Sequence, residues 1–70
     1  MLSDRLRLLR KEKNLTQVQA AGEVGLSYRG YQDLERGVLP RADNLMAIAE
    51  FYQVSIDWLM GRTDKREVNR

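Results

Sequence analysis

The sequence predicts an all-α domain built from about five short helices. Three observations carry that expectation. Apolar residues recur three and four positions apart in successive segments, the repeat of a helix that buries one face. Ser, Thr, Asn, Gly and Pro stand at the joints between those segments, where helices start and stop. No stretch alternates apolar and polar residues as a half-buried strand does.

The first helix is expected from its cap at Ser3 to about Lys13. Leu2, Leu6 and Leu9 are spaced to face a core, whereas Leu8 falls off that stripe. Arg7 and Lys11 lie outward, and Arg10 lies near Leu6 on the inner edge. Asn14 can take the left-handed conformation that ends the helix.

The second helix is expected over residues 17–24. Thr16 sits three residues before Gln19, the spacing of a capping box. Ala20, Ala21 and Val24 form the inner side, and the small alanines permit a close helix approach. Gly25 can supply the positive φ that ends this helix. Gln17 stands at the helix start, where free backbone N–H groups favour a phosphate. Its amide can add a bond to that phosphate, or can simply be solvated.

Ser27 can cap a third helix over residues 28–36, with Gly37 after it. Tyr31, Leu34 and Glu35 share one face, while Arg29, Asp33 and Arg36 share the opposite one, flanked by Gln32. An exposed face of Arg, Gln and Asp carries the groups that read base edges. A solvated face on which Arg29 pairs with Asp33 fits the same spacing. Two short helices joined by a tight, Gly-containing turn make a helix-turn-helix.

Val38-Leu39-Pro40 is a connecting loop, with Pro40 fixing the chain before a fourth helix over residues 42–52. Leu45, Ile48, Ala49 and Tyr52 form its inner stripe, flanked by Met46 and Phe51. Ser55 can cap a short last helix over residues 56–60, ended by Gly61. Residues 1–61 thus read as one domain, and the charged stretch 62–70 as a flexible tail.

Seventy residues allow a single small domain with a modest core. The chain has no Cys and no His. Disulfides and thiolate metal sites are excluded, and so are the His base and the His ligand. With no clustered carboxylates either, no metal, no cofactor and no enzymatic activity are expected. A disulfide-free domain with no apolar leader segment and no membrane-length run suits the cytoplasm. The net charge is +2. It is unevenly spread: residues 1–41 carry eight basic against five acidic groups, and residues 42–70 carry four against five. A positive face on the half that holds the third helix would attract phosphate, although ordinary scatter of surface charge gives a similar split.

Leu15-Thr16-Gln17, then Ala21, Gly25 and Ser27, then Leu34-Glu35-Arg36-Gly37, Pro40 and Leu45 stand in one register. Ile48-Ala49 and the run from Val54 to Gly61 continue it. Together they resemble the Cro/C1-type helix-turn-helix family of phage and bacterial regulators, from Arg5 to about Gly61. The resemblance implies a lambda-repressor-like DNA-binding domain whose third helix enters the major groove while the second crosses the backbone. It makes Tyr28, Arg29, Gln32 and Asp33 the base-reading residues of a double-stranded DNA complex. It makes Gln17, Ser27, Arg36 and Arg41 the phosphate contacts. It also implies a structural ion pair between Arg10 and Glu35, and Glu35 on an inner face needs such a partner. A homodimer on a palindromic operator is expected, with Trp58 and Met60 as possible contacts; either can instead close the domain's own core.

The chain departs from the family pattern at several places. Ala20 and Tyr31 stand where larger and aliphatic residues are usual, a big-for-small exchange that could conserve core volume. Gly22 and Gly30 replace better helix formers, and Arg41 stands where a capping Ser is usual. The rival to a DNA-binding regulator is an interaction module that works through a protein partner, for which the exposed Tyr28 and the apolar last helix leave room.

Overall fold

The computed structural model describes residues 2–68. Those residues form five helices: α1 Leu2–Glu12, α2 Gln17–Val24, α3 Tyr28–Glu35, α4 Ala42–Tyr52 and α5 Ile56–Leu59. There are no strands among them. α3 packs on α1 and α2, and α4 packs on α2 and α5. The domain measures 30 × 23 × 19 Å.

The core is one continuous cluster to which every helix contributes. Leu2, Leu6 and Leu9 enter it from α1, and Ala20, Ala21 and Val24 from α2. Tyr31 and Leu34 come from α3, Ile48, Ala49 and Tyr52 from α4, and Trp58 and Leu59 from α5. Each large apolar side chain withdrawn from water contributes about 1.5–3 kcal/mol. The small Ala20 and the large Tyr31 are both fully buried. The Tyr31 hydroxyl meets the Tyr52 hydroxyl at 3.2 Å, so neither polar end is abandoned inside. Burial and that contact hold the Tyr31 hydroxyl far above the ordinary phenol value. Burial likewise raises Tyr52. Leu45 is only partly buried, so the inner stripe of α4 is cleanest from Ile48 onward.

Four details differ from the sequence reading. Ser3 lies inside α1 and does not cap it: the helix already includes the buried Leu2 and so starts two residues earlier than a cap at Ser3 would allow. α3 stops at Glu35, with Arg36 as its C-cap, and α5 stops at Leu59. α4 ends on Gln53 in the left-handed region at φ 56°, a conformation no glycine announces there.

The stretch after Gly61 has no regular secondary structure, yet over residues 63–66 it returns across α1 and α5. The Ser55 N–H donates to the Arg66 carbonyl at 2.9 Å. Arg5 donates to the carbonyls of Trp58 and Thr63, and Arg66 forms an ion pair with Glu12. The guanidiniums of Arg5 and Arg66 stand 4.7 and 5.2 Å from the Trp58 ring centre. Composition alone pointed to fraying; the ties come from arginine partners remote in sequence. Residues 69 and 70 of that stretch lie outside the described residues.

Candidate nucleic-acid interface

Local chemistry sets the angle between α2 and α3. Thr16 Oγ1 accepts from the Gln19 N–H at 3.1 Å, and Gln19 Oε1 accepts from the Thr16 N–H at 2.9 Å, closing a reciprocal capping box. Gly25 ends α2 at φ 78°, where a side chain would be strained, and the Leu26 N–H bonds back to the Ala21 carbonyl at 2.9 Å. Ser27 then caps α3 by accepting from the Gly30 N–H at 3.0 Å. A Cβ at Gly30 would stand 3.1 Å from that same Ser27 oxygen, so glycine leaves the cap undisturbed.

The inner side of α3 is fastened at Glu35, which is 4% exposed. Arg10 donates from Nε to Oε2 at 2.7 Å and from Nη2 to Oε1 at 3.1 Å. Gln17 donates its amide to Oε1 at 3.1 Å. Arg7 donates to the Glu35 main-chain carbonyl at 2.7 Å. Burial alone would raise the Glu35 carboxyl; the bonds from Arg10, Gln17 and Tyr31, with the Arg10 charge, hold it below the ordinary carboxylate value. Reciprocally, the bond to Glu35 raises Arg10. One carboxylate thus joins α1, α2 and α3.

The outer side of α3 is the opposite. Arg29 and Arg36 are exposed, and among the described residues they are the arginines with no side-chain partner. No ion pair links Arg29 to Asp33 among the described residues, although their spacing allows one. Tyr28 is 46% exposed, and its hydroxyl accepts from the Gln32 amide at 3.1 Å.

The expected phosphate contacts are distributed unevenly. Ser27 and Gln17 sit at the helix starts, each already spending a side-chain group within the fold. The Ser27 hydroxyl proton and the second Gln17 amide hydrogen stay free to donate. Arg41 is the N-cap of α4 but gives no side-chain cap; its guanidinium instead pairs with Asp43 at 3.2 Å. Trp58 is 7% exposed, so it has little surface to offer a second copy, while Met60 is half-buried. Sequence reasoning placed Arg7 outward and missed its bond to α3. A cation one turn from Arg10 on a helix that meets the end of α3 was the available signal.

A helix-turn-helix family model matches residues 6–59. The chain is 42% identical over 69 residues to the cryptic phage CTXphi transcriptional repressor RstR of Vibrio cholerae serotype O1, covering 94% of this chain and 62% of that protein. It is 40% identical over 67 residues to the uncharacterized HTH-type transcriptional regulator YobD of Bacillus subtilis, covering 91% of this chain and 58% of that protein. The chain therefore spans about three-fifths of the length of each. The fold superposes on the crystal structure of the P22 c2 repressor protein in complex with synthetic operator 9T with a TM-score of 0.83. That match is 28% identical and covers 90% of this chain and 97% of the other. The solution structure of the P22 c2 repressor DNA-binding domain matches with a TM-score of 0.80 at 28% identity, over 99% of this chain and 91% of that one.

Proposed function

The chain belongs to the Cro/C1-type helix-turn-helix family, and from that premise we propose that it is a sequence-specific, double-stranded-DNA-binding transcriptional regulator of the repressor kind. The observation that carries the reading is the pair of exposed arginines, Arg29 and Arg36, that hold no carboxylate on the outer side of α3 and at its C-cap. Arg5, Arg7, Arg10, Arg41, Arg62 and Arg66 each hold a carboxylate. Arg29 and Arg36 do not; Arg29 stands on the helix that the family inserts into the major groove and Arg36 is that helix's C-cap. Arg29 would donate to guanine, Gln32 to adenine, and Asp33 would accept from cytosine N4. Gln17, Ser27, Arg36 and Arg41 would hold the backbone on either side, fixing register without reading sequence.

The protein acts in this reading as a cytoplasmic homodimer without enzymatic activity. Met60, and Ile56 at 38% exposure, are the accessible apolar side chains that a second copy would cover at α5. Such a homodimer would set its two recognition helices about 34 Å apart on one face of the duplex.

The test is binding of the purified chain to its own upstream DNA and to a random duplex across a salt series. Tight binding to the first, with a steep salt slope on both, supports the reading. Weak and equal binding to both overturns it in favour of a protein partner.

A further inference from the structure

Val38 and Leu39, adjacent in the loop between α3 and α4, are 55% and 69% exposed. Arg36 and Arg41, both exposed, bracket them in the chain. The loop is held in shape from behind. The Gly37 N–H donates to the Leu34 carbonyl at 3.2 Å, and the Val38 N–H to the Asp33 carbonyl at 3.0 Å. Little backbone freedom is left there for a partner to freeze.

A hollow of the opposite charge lies where α4 meets α5. It measures about 570 Å³. Ala49 and Val54 are its buried apolar part, with the exposed Met46, Ile56 and Val68 around them. Glu50 and Asp57 line it too, and both are exposed. Among the described residues Glu50 holds no cation, and Asp57 has only Arg62, at 4.0 Å.

The apolar pair lies in the part of the chain with an excess of basic groups, and the hollow in the part with an excess of acidic ones. Within one copy α4 itself keeps them apart. The loop ends at Arg41, the N-cap of α4, and Ala49 stands about 12 Å further along that helix.

We propose that residues 36–41 of one copy seat Val38 and Leu39 in the α4–α5 hollow of a second copy, with Arg36 and Arg41 against Glu50 and Asp57. One loop covers less than the roughly 800 Å² per partner of a stable interface, so the contact is weak and reversible. Arg36, Arg41 and Ile56 serve the DNA-bound dimer in the reading above. The contact therefore belongs to the free protein, and duplex DNA takes it apart; that last step alone rests on the DNA-binding reading.

Sedimentation velocity of the full chain over a concentration series tests the contact. Mass is expected to rise with concentration, and to rise less at high salt, which screens the charges. Val38→Asp spoils the loop and Met46→Asp the hollow. Each is expected to weaken association about tenfold, equivalent to ~1.4 kcal/mol. Mixed together, the two variants are expected to pair again as a one-to-one complex, because each keeps the surface the other lacks. Circular dichroism verifies that both fold. Duplex from the upstream DNA is expected to disperse the unsubstituted assembly.

A chain that stays monomeric overturns the proposal, and so does an association that both substitutions leave intact. A mixture of variants that fails to pair overturns it as well, as does an assembly that persists on bound duplex. Failure to bind any duplex overturns the regulator reading instead, and the mixture of variants still decides the contact.

Discussion

Arg7 donates to the main-chain carbonyl of Glu35 at 2.7 Å, so α1 holds the last turn of α3 by its backbone as well as by its side chain. A carbonyl at a helix C-terminus is the negative end of the helix dipole, and a cation there is favourable. Arg10 grips the carboxylate of the same residue. The outward aim of Arg29 and Asp33 is therefore set by contacts on the opposite side of their helix.

Arg10→Ala is expected to cost about 3–5 kcal/mol, because it takes the bidentate partner from the buried Glu35 carboxylate and leaves only Arg7, at 3.9 Å, as a cation beside it. Arg7→Ala removes one bond from a half-exposed side chain and is expected to cost about 1 kcal/mol. Urea unfolding midpoints at constant slope measure both. A smaller loss for Arg10→Ala than for Arg7→Ala would contradict the role given to the ion pair.

Stability is expected to fall on both sides of neutrality. Glu35 has a folded value below its unfolded one, so its contribution is full above pH 4.5 and drains as the pH falls through the folded value. Glu12, lowered by its bond to Arg66, adds to the same acid limb. Tyr31 and Tyr52 have folded values above their unfolded ones, so their contribution is full below pH 10.0 and is lost as the pH rises beyond it. Thermal melts across the pH range check this. Glu35→Gln should flatten the acid limb, and tyrosinate absorbance from these two residues should rise only with unfolding.

Gly22→Ala is expected to stabilise the domain. A Cβ at Gly22 meets nothing within 4 Å, and the position lies within α2. Alanine is favoured there by about 0.5–1 kcal/mol, which raises the melting temperature by roughly 4–8 °C per kcal/mol in a domain of this size. A lower melting temperature would show that α2 needs the glycine for some other contact.

Arg41→Ser should separate stability from DNA affinity. Serine supplies the N-cap bond that Arg41 does not give α4, for a gain of about 1 kcal/mol. The same change removes a cation beside the proposed interface, and is expected to weaken all duplexes alike and to reduce the salt slope by about one. Paired melting and salt-titration experiments read the two effects independently.

Arg29→Ala is expected to relax specificity at one base position, by about 1–3 kcal/mol of discrimination. Gln17→Ala is expected to weaken all sequences together. Competition against single-base operator variants distinguishes the two patterns. Uniform weakening by Arg29→Ala would reassign Arg29 to the backbone.

Helix ends are the most legible part of this chain. Thr16 with Gln19, Gly25 and Ser27 act within four residues of where they stand, so their spacing contains the whole interaction. Asn14 takes the left-handed conformation its residue type suggests, whereas Gln53 was not legible, because glutamine has no local preference for that region. The opposed faces of α3 follow from the helical repeat. That Arg29 and Asp33 stay apart while Gln17 turns inward to Glu35 does not, since the choice among polar partners is made in three dimensions. The same holds for the Arg5–Thr63 bond and the Arg66–Glu12 ion pair, which join positions more than fifty apart in the chain.

That remoteness bears on the order in which the molecule assembles. The Gln17–Glu35 bond closes a segment of 18 residues, whereas Arg5 reaches Thr63 across 58. The longer closure carries an entropic cost ~1 kcal/mol greater. Contacts near in sequence close at less entropic cost than distant ones, so the α2–α3 pair is expected to form before residues 63–66 dock. Trp58, flanked by Arg5 and Arg66, is in that order the latch where the first helix meets residues 63–66, expected to close after the outer face of α3 has taken shape.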